Sequence, residues 1–148
     1  MLLLIAAALG LSVFGWLAWH AVTVEDLDAV DSRQRFEDAL AQLDSTTPRV
    51  KMDATGHFVR SGPARTSERR PNALHVLAYR ASERRLVRAE VPLWFFTIKG
   101  PAAQYALQGT GFDLRILGLT ASDLAAAGPG VVMDETGANG DRLLAWTQ

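Results

Sequence analysis

The sequence predicts an α+β protein with a single N-terminal transmembrane helix, an amphipathic stalk helix, and one small domain with a mostly antiparallel sheet and short helices. Three observations carry this reading. Leu2 to Val22 is an apolar run, and the first charged residue after it is Glu25. Residues 25–44 then repeat apolar side chains at helical spacing. From Val50 onward, short extended segments bounded by turn signals outnumber helical ones and follow one another as hairpins, the pattern of an antiparallel sheet with segregated helices. The expected boundaries are an anchor over 1–24, a stalk over 25–47 and a domain over 48–148 with a mobile loop at 61–72.

The apolar run fits a membrane span by length. At about 1.5 Å per residue it makes a helix of roughly 31 Å, the thickness of a bilayer's hydrocarbon core. A cleaved signal peptide needs a basic leading segment and small residues at the cleavage site. No Lys or Arg precedes the run, and the zone Leu17-Ala18-Trp19-His20-Ala21 is bulky. The segment is therefore expected to stay on the protein, with Trp16 and Trp19 at one membrane surface. Ala6 and Gly10, four apart, are the candidate helix-contact residues, because small side chains let two backbones approach. His20 lies one turn after Trp16, where an imidazole ordinarily reaches the wet interface rather than ligating a metal or pigment. The span holds no Asp, Glu, Lys or Arg, which argues against a proton relay or ion motor.

The stalk reads as a helix through Phe36, Ala39, Leu40 and Leu43, spaced i, i+3, i+4, i+7. Acidic residues crowd its start and Pro48 enforces its end. It either packs on the domain or holds the domain off the membrane. Next come a hairpin around Thr55-Gly56, the loop over 61–72, and a strand from Leu74 to Tyr79. A polar turn at Ser82-Glu83-Arg84 leads into the longest strand candidate, Leu86 to Ile98. Pro92 interrupts it, since proline cannot donate to a ladder. Alternation along that strand puts Trp94 and Phe96 on one face and Phe95 on the other, with short helices at 102–107 and 121–127 as the expected cover. Thr120-Ala121-Ser122-Asp123 has the form of a capping box opening the second of these. A closing hairpin, Val131–Met133 and Leu143–Trp146, turns at Asn139-Gly140, where a type I′ turn needs positive φ at both positions.

Composition excludes several chemistries. The 148 residues include no cysteine, so there is no disulfide framework and no thiolate metal site. The net charge of −1 hides an uneven layout: residues 60–90 carry eight arginines and three glutamates, while residues 25–59 carry four basic and eight acidic groups. Gly109-Thr110-Gly111 fails as a dinucleotide motif because Leu114 stands where a third glycine is needed. Asp134 to Asp141 lacks the alternating ligands and distal glutamate of a calcium loop. His57 and His75 have no histidine partner at metal-binding spacing. No catalytic residue, cofactor or metal is assigned. No nucleic-acid motif accompanies the arginines, and no small-molecule substrate is evident.

Two patches remain as candidate partner or lipid contacts: Arg69, Arg70, Arg84 and Arg85, which suit anionic headgroups or an acidic subunit, and Trp94, Phe95 and Phe96. The expected function is that of a non-enzymatic, single-pass accessory or assembly subunit of a larger membrane complex of the respiratory, photosynthetic or secretion kind, with other membrane subunits and lipid as partners. Its expected location is a bacterial-type inner membrane, with the domain extracytoplasmic. The alternatives are a membrane-tethered binding module for a small ligand or lipid headgroup and, less favoured, a tethered hydrolase.

Overall fold

The structure, a computed structural model, describes residues 22–43, 46–53, 58–60, 69–99, 110–112, 114 and 116–148. In chain order the elements are β1 (Val22–Asp26), α1 (Ala29–Ala41), β2 (Val50–Met52), β3 (Phe58–Arg60), β4 (Ala73–Arg80), β5 (Arg85–Pro92), α2 (Leu93–Lys99), α3 (Ala121–Ala127), β6 (Gly130–Thr136) and β7 (Arg142–Thr147). Five strands form one antiparallel sheet in the order β1-β5-β4-β7-β6, and β2 pairs with β3 in a separate hairpin. The expected α+β architecture with a mostly antiparallel sheet is present.

Period-2 alternation sorts the sheet's side chains onto two faces. Leu74 and Val76 of β4, Ala89 and Val91 of β5, and Ala145 of β7 point to one face. There they pack with Val50, with Leu93 and Phe96 of α2, with Leu124 of α3, and with Phe112, Leu114 and Leu117. Leu77 and Tyr79 of β4, Leu86 of β5, and Leu144 and Trp146 of β7 point to the other face, which α1 covers with Phe36. A sheet buried on both faces explains why β4 reads as nearly continuous apolar sequence.

The helix at 25–47 needs correction. α1 spans only Ala29–Ala41, and Val22–Asp26 before it is a strand paired with β5 from Val22↔Ala89 to Asp26↔Arg85. Residues 22–24, counted with the anchor, therefore belong to the folded domain. Val22, Thr23 and Val24 are β-branched, which suits a strand. Asp28 starts α1 by accepting from the backbone N–H groups of Val30 and Asp31 at 2.8 and 2.9 Å, satisfying donors that a helix start leaves unpaired. The apolar residues Phe36, Ala39, Leu40 and Leu43 all turn to the sheet, so α1 packs on the domain and does not stand off as a stalk. Among the described residues no helix is long and apolar enough to cross a membrane. The run over 2–21 lies outside them, as do Ala6, Gly10, His20, His57, the loop at 61–68 and the helix expected at 102–107.

The strand expected to run to Ile98 ends at Pro92, and α2 follows at once. Trp94, Phe95 and Phe96 are thus helical, not alternating. Leu93 and Phe96, three apart, turn into the core while Trp94 is half exposed. The Leu93 N–H donates to the Asn72 carbonyl at 2.9 Å, fixing where β5 gives way to helix.

α3 begins as the sequence indicates. The Thr120 hydroxyl oxygen accepts from the Asp123 N–H at 3.1 Å, and the Asp123 carboxylate accepts from the Thr120 N–H at 2.8 Å. Its C-terminal end uses a device absent from local sequence. The Arg49 guanidinium donates to the carbonyls of Ala127, Gly128 and Pro129 at 2.8, 2.8 and 3.0 Å. A bulge between Val131 and Met133 interrupts the β6–β7 register, and the Arg49 N–H donates to the carbonyls of Val131 and Val132 there.

The closing hairpin is present, but its turn is not type I′. Among the described residues Arg84 alone of the non-glycines has positive φ, so Asn139 does not, whereas Gly140 has φ 86°. The Gly137 N–H donates to Asp141 and the Gly140 N–H to Gly137. That is a three-residue loop, Ala138-Asn139-Gly140, closed by a left-handed glycine.

Candidate functional site

A groove of about 190 Å³ lies between α1 and the sheet. Thr23 and Glu25 of β1, Arg88 of β5, and Arg35 and Asp38 of α1 line it, with Trp146 of β7 at its floor. The register explains the assembly: Thr23 lies opposite Arg88, which lies opposite Leu77, so these side chains share the face that α1 covers. Because α1 packs on the far part of that face through Phe36, charged residues of β1, β5 and α1 meet at its margin. Arg35 reaches Glu25 at 3.4 Å, with both side chains about half exposed.

His75 flanks the same floor. Its ring stacks on Trp146, centroids 5.1 Å apart. Its Nδ1 is buried, with no hydrogen-bond partner and the Glu90 carboxylate at 3.6 Å. Burial holds the imidazole below its ordinary pKa, against the pull of Glu90 and with a smaller push from Arg88. The Ser32 hydroxyl donates to the Ala29 carbonyl inside α1. The groove is a small depression of mixed charge. It is also below the roughly 300–1,000 Å³ usual for ligand pockets.

The structure separates the sequence-derived candidates. Arg84 and Arg85 lie at the β4–β5 turn, where Glu83 binds Arg80 at 3.2 Å and Arg85 at 3.0 Å. Arg69 and Arg70 precede Pro71 and Asn72, at the other end of β4, and are exposed. Eight strand residues, about 26 Å, separate the pairs, so the four arginines form two sites and not one cluster. Trp94 is 52% exposed, its ring meeting Phe95 edge to face at 5.8 Å, whereas Phe96 is buried in the core. Asp134 binds Arg142 through both carboxylate oxygens at 3.3 Å. Asp141 accepts from the Ala81 N–H and the Asn139 side chain, each at 2.8 Å. Both acids are thus engaged in the hairpin, and among the described residues no group of three or more His, Asp or Glu is placed to hold a metal ion.

Sequence reasoning missed the groove because its lining comes from β1, α1, β5 and β7, which only long-range pairing brings together. It missed Arg49 for the same reason. No protein-family model, no curated protein and no solved structure matches this chain.

Proposed function

We propose that this protein is a single-pass membrane accessory subunit, anchored by residues 2–21, whose domain is clamped onto neighbouring subunits of a larger membrane complex. The observation that supports this most is the junction at Val22. A folded strand is described from there, and the twenty residues before it, up to Leu2, include no Asp, Glu, Lys or Arg. As a helix they reach about 30 Å, a bilayer's hydrocarbon thickness.

The non-enzymatic part of the reading draws on the groove's small volume and on the engagement of Ser32, Asp134 and Asp141 in structural hydrogen bonds. A tethered binding module is the alternative, with the Arg88–Trp146 groove as its site. Extraction in mild detergent followed by affinity purification of the full chain separates the two. The complex reading expects stoichiometric co-purifying membrane proteins. A chain that purifies alone from its native membrane, at every detergent strength that solubilises it, overturns it.

A further inference from the structure

The two edges of the five-stranded sheet differ. β6 forms one of them. A bulge interrupts it between Val131 and Met133, and the Arg49 N–H donates to the carbonyls of Val131 and Val132. Bulges and covered carbonyls blunt an edge against further pairing. β1 forms the other edge, and among the described residues no strand pairs with its outer side. Which of its backbone groups face outward follows from parity, because opposed residues in an antiparallel pair exchange hydrogen bonds only at every second position. The Leu27 N–H donates to the Arg84 carbonyl, one step beyond the pair Asp26↔Arg85, so Glu25 and Thr23 bond to Leu86 and Arg88. The β4–β5 ladder agrees. The Leu93 N–H donates to the Asn72 carbonyl, so Val91, Ala89 and Val87 turn to β4 and leave Leu86 and Arg88 for β1. The N–H and carbonyl groups of Val22, Val24 and Asp26 therefore point away from the sheet. Val24, at the centre of β1, is 55% exposed.

We propose that β1 is a pairing edge for a second copy of this chain: two β1 strands align antiparallel about Val24 and join two five-stranded sheets into one. The strand is complementary to itself. Centred on Val24, the register sets Val24 opposite the partner's Val24 and Val22 opposite the partner's Asp26, so every outward-facing residue of both copies finds a bonding partner. Thr23 then stands opposite the partner's Glu25, and no like charges face each other. A slide of one bonding step toward the C-terminus would oppose Glu25 to the partner's Glu25, which destabilises a strand pair. A slide the other way forfeits one of the three bonded pairs. The centred register also suits Arg88, which is exposed, lies opposite Thr23 and makes no ion pair among the described residues. It would bring the partner's Glu25 to the far side of Thr23, two strand spacings or about 10 Å from Arg88, a span that the two long side chains can bridge. The inference concerns the domain and does not rest on the anchor reading.

The test uses the full chain in mild detergent. The chain has no cysteine, so Val24→Cys places one thiol on each copy. A bonded antiparallel pair holds its Cα atoms about 5.5 Å apart, within disulfide range. Mild oxidation should therefore link Val24→Cys into a dimer many times faster than Val30→Cys, whose site is exposed on α1. Val24→Pro is the selective block. The N–H it removes points outward, so the β1–β5 ladder keeps its bonds. Its melting temperature should hold within a few degrees while the mass by light scattering falls from dimer to monomer. Val24→Lys keeps the backbone and opposes two charges, and it should give the same result; it decides the matter if the proline variant melts early. A wild-type chain that stays monomeric throughout the micromolar range overturns the proposal. So does a dimer that survives both substitutions, or one that links no faster at 24 than at 30, since its interface lies elsewhere. Oxidation in the native membrane that joins residue 24 to a different protein also overturns it, because the occupant is then not a second copy.

Discussion

His75 of β4 lies flat against Trp146 of β7, with ring planes 11° from parallel. The pair occupies adjacent strands in direct register, His75↔Trp146, and Glu90 stands opposite His75 on the other side. The stack covers both faces of the question a buried histidine raises: it supplies apolar contact, and it leaves Nδ1 without a hydrogen bond.

That burial gives the fold a pH dependence of definite sign. The folded state holds His75 below its unfolded pKa, chiefly by desolvation. The unfolded chain therefore takes up the proton first, and stability falls as pH drops from about 6.5 through the lowered folded value. His75→Phe keeps a ring against Trp146 and removes the titration. Between about pH 7 and pH 5 its melting temperature should fall less steeply than that of the wild type. Parallel curves would mean that the imidazole does not titrate across folding.

The two faces of the sheet should fail independently. Phe36→Ala removes the side chain by which α1 seats, at a cost of about 3–5 kcal/mol, and Leu124→Ala empties the opposite face at about 2–5 kcal/mol. The sheet separates the two sites, so their costs should add within about 0.5 kcal/mol. Urea titration of the single and double variants in mild detergent checks this. A double variant much more stable than the sum would show that the faces share a cavity.

The capping box at Thr120 should matter as a hydrogen-bonding unit. Thr120→Ala should destabilise by about 1 kcal/mol, while Thr120→Ser, which keeps the hydroxyl for the Asp123 N–H, should cost only a few tenths. Thermal melts that rank serine with alanine would place the effect in the threonine methyl group.

Two arginines of equal charge should differ in weight. Arg142 binds Asp134, with both side chains 23% exposed, and its guanidinium carbon lies 4.6 Å over the Phe36 ring. Arg142→Ala should cost roughly 1–2 kcal/mol, combining a partly screened pair with a cation–π contact. Arg85 is exposed and meets only Glu83 among the described residues, so Arg85→Ala should stay within about 0.5 kcal/mol. Denaturation midpoints that reverse this order would refute the burial argument.

Local signals carried much of the sheet. The alternation of Leu74 to Tyr79, the polar turn at Ser82–Arg84 and the Thr120–Asp123 box each specify structure within a few residues, and each appears; Asn139-Gly140 marked the last hairpin but not its turn type. The face of α1 was legible too, through Phe36, Ala39, Leu40 and Leu43. What failed was segmentation. Val22-Thr23-Val24 continues the apolar run without a break, so hydrophobicity hid a strand whose partner, β5, lies far along the chain. Leu93–Ile98 is rich in aromatic and β-branched residues, which favour strands, yet tertiary packing of Leu93 and Phe96 made it helical. The separation of Arg69-Arg70 from Arg84-Arg85 followed from β4 lying between them, a distance that proximity in sequence conceals.

The placement of β7 between β4 and β6 has a consequence for biosynthesis. β4 can pair with β5 as soon as their hairpin leaves the ribosome, but its other edge waits for residues 142–147. At roughly 5–20 residues per second that edge stays open for seconds, an interval in which unpaired strand groups invite pairing with another chain. The moment of greatest aggregation hazard is therefore also the moment at which a chaperone has an exposed strand to hold.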